Sequence, residues 1–171
     1  MRGFLFGFLS GMIVIPMVGA SVALSGRLSV DANAAPPRWE TALARQSFAA
    51  SVARQATKLQ NPIAPTGENL RAGMKIFFDA CSGCHGDGNK PSQWGTSDFY
   101  PRVPQFASEP PNKPDWQLFW IVKHGVRYSG MGGVSDEMAD ERVWKVATFL
   151  SHIKTLPPDV EAEWRGQLQK N

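Results

Sequence analysis

The sequence predicts an all-α fold, on three observations. Apolar residues recur at helical spacing: Leu70, Met74, Phe77 and Cys81 repeat at i, i+4, i+7 and i+11, and Val143, Val146, Phe149, Leu150 and Ile153 form a second stripe. Prolines at 91, 101, 104, 110, 111 and 114 deny the stretch between them a strand or a regular helix. The only two cysteines stand in Cys81-Ser82-Gly83-Cys84-His85, preceded by a helical pattern and with no strand pattern nearby.

That pentapeptide reads as a c-type haem attachment site. Two sulfurs must reach two vinyl groups on one edge of a porphyrin, and the next side chain must swing beneath the ring to offer an imidazole nitrogen to iron. One helical turn running into a loop achieves this with five residues. A structural zinc site needs four ligands, yet the histidines lie scattered at 85, 124 and 152. A thioredoxin-like pair needs a βαβ setting, and a plain disulfide leaves His85 without a purpose.

A length of 171 residues fits one core domain with appendages. Lys+Arg total 18 against 15 Asp+Glu, a net charge of +3. Charges balance from Asn69 onward, so the excess lies upstream. No Lys/Arg stripe is present, which argues against nucleic acid as a partner. Six tryptophans and ten phenylalanines suit a domain that wraps a large apolar ring.

Residues 1–25 hold Arg2 and then an apolar run from Gly3 to Leu24. At ~1.5 Å per residue this run reaches ~33 Å, enough to cross a bilayer. Two readings stand: a cleaved signal peptide, with Val18-Gly19-Ala20 or Ala32-Asn33-Ala34 as the small-residue site, or a signal anchor, which the length of the run favours. Arg2 places the N-terminus in the cytoplasm, so the rest is exported, as covalent haem attachment in bacteria requires. The expected location is the periplasmic side of the inner membrane, or the soluble periplasm if the segment is cleaved. Residues 26–65 comprise a linker and an amphipathic helix from Arg38 to Gln60, with Trp39, Leu43, Phe48 and Val52 on one face.

Residues 66–156 form the haem domain. Thr66 caps its first helix and Glu68 lies in the first turn. Gly73, costly in a helix by about 1 kcal/mol, makes sense where another helix crosses closely. After His85, the proline-rich loop is expected to wrap a haem edge with Trp94, Phe99, Tyr100 and Phe106 as anchors. Pro114 opens a helix at its first position and Gly125 stops it after His124. Within that helix Trp116 and Trp120 lie one turn apart, and Trp120 is a candidate cofactor contact. Met131 lies among Gly130, Gly132 and Gly133, an arrangement suited to bringing sulfur to iron. It is the candidate sixth ligand, with His85 the fifth; Met138 is its rival and more naturally packs. His124 caps a helix end, and His152 is expected at the surface. A last helix is expected from Ser135 to Lys154, and the tail, 157–171, forms one short helix through Val160 and Trp164 or frays.

These motifs together resemble the class I cytochromes c, bacterial and monohaem, over about residues 66–156. The likeness rests on Gly73-x-x-x-Phe77-x-x-x-Cys81-x-x-Cys84-His85, on Pro104, on Gly125-Val126-Arg127-Tyr128-Ser129-Gly130-Met131 and on Trp144-x-x-x-x-Phe149-Leu150. It implies a class I cytochrome c fold around one covalent haem c, here with an N-terminal membrane helix and an additional helix before the domain. It further implies that Gly73 and Phe77 meet Phe149 and Leu150. The Pro104 carbonyl, or second to it that of Pro101, accepts from the second nitrogen of His85. Tyr128 joins the candidate cofactor contacts. The implied function is one-electron transfer between a protein donor and acceptor. Two alternatives stay open: a haem-bearing subunit of a larger membrane oxidoreductase, and an open-site haem enzyme or sensor, for which Gly132 after Met131 leaves room.

Overall fold

The computed structural model describes residues 2–166, apart from the side chains of residues 2–6 and 9. Its contacts divide the chain into two units, Met1–Ala34 and Ala35–Asn171. No strand occurs among the described residues.

The first unit holds α1 (Arg2–Leu24), whose Met12, Ile13, Val14, Ile15 and Met17 are exposed. Among the described residues, no helix is long and apolar enough to cross a membrane. The expected membrane helix over 1–25 is therefore not supported, and residue 1 and the side chains of residues 2–6 and 9 lie outside what is described.

The second unit contains α2 (Arg38–Gln55), α3 (Gly67–Ala80), α4 (Ser82–His85), α5 (Gln93–Ser97), α6 (Asp115–His124), α7 (Asp140–His152) and α8 (Pro158–Trp164). Its centre is the crossing of α3 over α7. Thr66 caps α3 by accepting from the Asn69 amide at 3.3 Å. Leu70, Met74 and Phe77 then fall on one face and are buried with Val143, Val146, Phe149 and Leu150 of α7. Gly73 is the contact point. A Cβ there would lie 2.2 Å from the Lys145 carbonyl oxygen and 2.8 Å from Phe149 Cβ. Phe77 and Phe149 meet with ring centroids 5.9 Å apart. α6 joins α7 through Phe119 stacked on Trp144 at 4.0 Å and 13°.

The C-terminal segment is part of this core. Val160 and Trp164 of α8 are buried, and Trp164 meets Phe77 and Phe149 edge-on at 5.5 and 5.3 Å. Arg71 of α3 pins α8 through Asp159 at 2.5 Å and Glu163 at 2.6 Å. A smaller cluster joins Val52 and Ala56 to Ile121 of α6, with Phe48, Trp116, Trp120 and Met131 around it. Asn61 ties the connecting segment down by donating to Asp115 at 2.8 Å and to the buried Thr148 hydroxyl at 2.9 Å.

Several elements differ from expectation. α2 ends at Gln55, not Gln60: Ala56 is its C-cap, extended at ψ 114°, and is buried with Ile121 of α6. Only the C-terminal part of its apolar face packs, leaving Trp39 and Leu43 exposed. The proline-rich stretch does hold a helix, α5, because Ser92 caps it by accepting from Gly95 in the proline-free interval between Pro91 and Pro101. Trp94 and Tyr100, expected anchors, are exposed, whereas Phe106 packs on the core. Pro114 is the N-cap of α6, so the helix begins at Asp115, one residue later than expected. α7 begins at Asp140, not Ser135, because the Val134 carbonyl closes a separate turn with Glu137 and Met138.

Candidate functional site

The Cys81–His85 pentapeptide is a single tight turn at the end of α3. The Cys81 carbonyl accepts from Cys84 at 3.1 Å and from His85 at 3.0 Å, so both sulfurs and the imidazole originate within one turn. Both thiols are free and half-buried. Burial, assisted by nearby Cys84, pushes the Cys81 thiol up to about 11, so it stays protonated at neutral pH. Burial also holds the His85 imidazole below its ordinary value and keeps it neutral.

His85 is held by Pro104 and Phe106. The Pro104 carbonyl lies 2.9 Å from Nδ1. A carbonyl only accepts, so Nδ1 carries the proton and Nε2 is left with its lone pair. Phe106 stacks on the ring at 4.4 Å and 14°, and its amide donates to the His85 carbonyl at 3.3 Å. Between them, Gln105 is a buried polar residue whose amide donates to the Cys84 and Val103 carbonyls at 3.0 and 2.9 Å. A neutral imidazole fixed by a carbonyl and presenting Nε2, next to two free thiols on one turn, suits a covalently attached haem. The donor set does not suit a bare ion: no group of three or more His, Cys, Asp or Glu gathers among the described residues.

The other candidates lie on α6 and the loop after it. Gly125, at φ +71°, ends α6. The loop is tied at both ends, Val126 donating to the Met131 carbonyl at 2.9 Å and Val134 to that of Lys123 at 3.1 Å. Met131 is half-buried against both apolar clusters, whereas Met138 packs against the larger one alone. Trp120 is half-buried in the smaller cluster, 5.0 Å from His124. Tyr128 has φ +60° and is 90% exposed, so its side chain stands away from the packed residues. Pro101 is exposed and makes no hydrogen bond to His85. His124 is exposed at the end of α6. His152, expected at the surface, is half-buried because Nδ1 bonds the Thr148 carbonyl at 2.8 Å.

The sequence did not single out Gln105, Ser92 or Gly95. Ser92 donates to the Gly83 carbonyl, and a Cβ on Gly95 would collide with the Cys84 carbonyl oxygen. α5 therefore lies directly against the Cys81–His85 turn. Nothing in the spacing of a proline-rich loop announces such a contact.

Comparison with known proteins agrees with this geometry. Residues 68–150 match the family described as "Cytochrome C oxidase, cbb3-type, subunit III". One of the subunits of nicotinate dehydrogenase from Pseudomonas putida is 33% identical over 97 residues, 53% of this chain and 8% of that protein. The chain thus spans a small part of the curated relative it matches. No solved structure matches.

Proposed function

The domain over residues 68–150 belongs to a cytochrome c family, and on that premise we propose that the chain is a monohaem electron carrier. The observation that carries this reading is the hold on one imidazole: Nδ1 engaged by Pro104, the face covered by Phe106, and two free thiols on the same turn. When bound, the haem supplies a one-electron iron couple. Cys81 and Cys84 would hold it by thioether bonds, one haem for the chain's single pair. His85 would hold the iron through Nε2, and Met131 would supply its thioether as the second ligand. Met131 is preferred to Met138 because its glycine-flanked loop is tied at both ends and its side chain packs against both clusters, while Met138 packs against the larger one alone.

A thioether favours the electron-rich ferrous state, and an apolar shell pushes the same way. The chain's part is to keep both ligands in place in either oxidation state and to exclude water. Exchange with a partner would occur at the attachment turn beside Ser82 and Gly83, where nothing lies within 4 Å of a Cβ built on Gly83. The contact would be small and transient, as redox encounters are. The proposed location is the exported face of a bacterial inner membrane or the soluble periplasm, where covalent haem attachment takes place.

A second reading is favoured by the comparisons: both the matching family and the relative are described as subunits. The chain would then pass electrons within a larger oxidoreductase. Mild-detergent purification distinguishes the two, since a subunit elutes with a larger haem-stained complex and a free carrier elutes alone. The electron-carrier reading itself is tested by potentiometry. A reversible one-electron wave with low-spin spectra in both states is expected; a high-spin protein whose reduced form binds carbon monoxide readily would overturn it.

A further inference from the structure

Gln105 is the one buried polar side chain in the loop that follows the Cys81–His85 turn, and both its polar atoms are engaged near His85. Its Oε1 accepts from the Ser92 amide at 2.7 Å, and its Nε2 donates to the carbonyls of Cys84 and Val103. Two glycines make room for it. A Cβ on Gly86, the residue after His85, would lie 2.9 Å from Oε1, and one on Gly95 would lie 3.0 Å from Nε2. The amide thus bridges the residue before the histidine to the segment that supplies Pro104 and Phe106. Neither of those residues touches the imidazole unless the backbone of 103–106 is held beside that of 84–86.

We propose that Gln105 is a positioning residue for His85, fixing the Pro104–Nδ1 hydrogen bond and through it the basicity of the imidazole. The proposal rests on the haem reading only for its redox consequence. An Nδ1–H that donates to a carbonyl makes the ring a stronger donor to a metal. A stronger donor favours the ferric state, so loosening the bond raises the reduction potential.

The test uses the purified full-length protein and two variants, Gln105→Leu, which keeps the volume without the hydrogen bonds, and Gln105→Glu, which keeps the acceptor and loses both donors when ionised. Exchange of the His85 Nδ1 proton is followed by NMR, with the indole proton of buried Trp144 as an internal control. Expected is a rise in the His85 rate of about fivefold to tenfold, the loss of roughly one net hydrogen bond, with the Trp144 rate unchanged and the potential shifted upward. Equal acceleration at both protons, or wild-type rate and potential in both variants, would overturn the proposal. Should Gln105→Leu fail to fold, the Glu variant alone decides. Loss of all pigment to acidified butanone from the wild type would instead refute the haem reading, while the exchange rates would still judge Gln105.

Discussion

Gly73→Ala tests the helix crossing on which the domain is built. The added Cβ would lie 2.2 Å from the Lys145 carbonyl oxygen, 2.8 Å from the Lys145 carbonyl carbon and 2.8 Å from Phe149 Cβ. Two of these three atoms are backbone, and the third is attached to it, so no flexible side-chain end can yield. α3 and α7 must separate by about 1 Å to restore van der Waals distance, which disturbs every contact between Phe77, Val146, Phe149 and Leu150. Overpacking of this kind costs about 1–3 kcal/mol, and a backbone obstacle puts it at the upper end. Alanine's better helix propensity returns about 1 kcal/mol. The net expectation is destabilisation by about 1–2 kcal/mol. Gly83→Ala is the matched control, since nothing lies within 4 Å of its added Cβ; there propensity acts alone and stability stays level or rises slightly. Urea unfolding followed by tryptophan fluorescence reads both as shifts in midpoint at constant slope. A Gly73→Ala protein as stable as wild type would refute the reasoning, because it would mean the helices do not approach as described.

Other outcomes follow from the same structure. Trp164→Ala empties the space against Phe77 and Phe149 and is expected to cost about 3–5 kcal/mol in the same urea assay; a loss below about 1 kcal/mol would show α8 to be dispensable. The Arg71 hydrogen bond holds the Asp159 carboxyl below its ordinary value. Its contribution is present above the usual carboxylate range and disappears as pH falls through that lowered value. Arg71→Met should therefore lower stability at neutral pH, and its difference from wild type should shrink on acidification; a difference that grows toward low pH contradicts the pairing. Met131→Ala should abolish the weak red-edge absorption of ferric iron–thioether bonding and let the reduced protein bind carbon monoxide. Met138→Ala should leave both properties unchanged, and a band persisting in Met131→Ala would transfer the ligand role to Met138.

The helix pair at the centre was legible because its signals are local. The i, i+4, i+7 stripe through Leu70, Met74 and Phe77, the Thr66 cap and the mid-helix Gly73 each carry a spacing or a cost visible without coordinates. Helix ends proved less legible, because tertiary contacts set them. Ala56 ends the helix where it is buried with Ile121 of α6, and Val134 draws residues 137 and 138 into their own turn. Proline content read as an average concealed α5, which fits between Pro91 and Pro101 once Ser92 caps it. At the site, Cys81, Cys84 and His85 were visible as one motif. The support from Gln105 was not, since a glutamine among prolines has no periodicity and acquires meaning only when the chain folds back on Cys84. The exposure of Trp39, Leu43 and Trp94 was equally hidden, because aromatic spacing does not say which part of a face finds a neighbour.

The most direct measurement is the intact mass of the purified, matured protein, taken before and after extraction with acidified butanone. A polypeptide heavier by one haem, with the added mass and the colour both surviving extraction, is the expected result. The mass of the bare chain, or pigment that passes entirely into the organic phase, would contradict covalent attachment at Cys81 and Cys84.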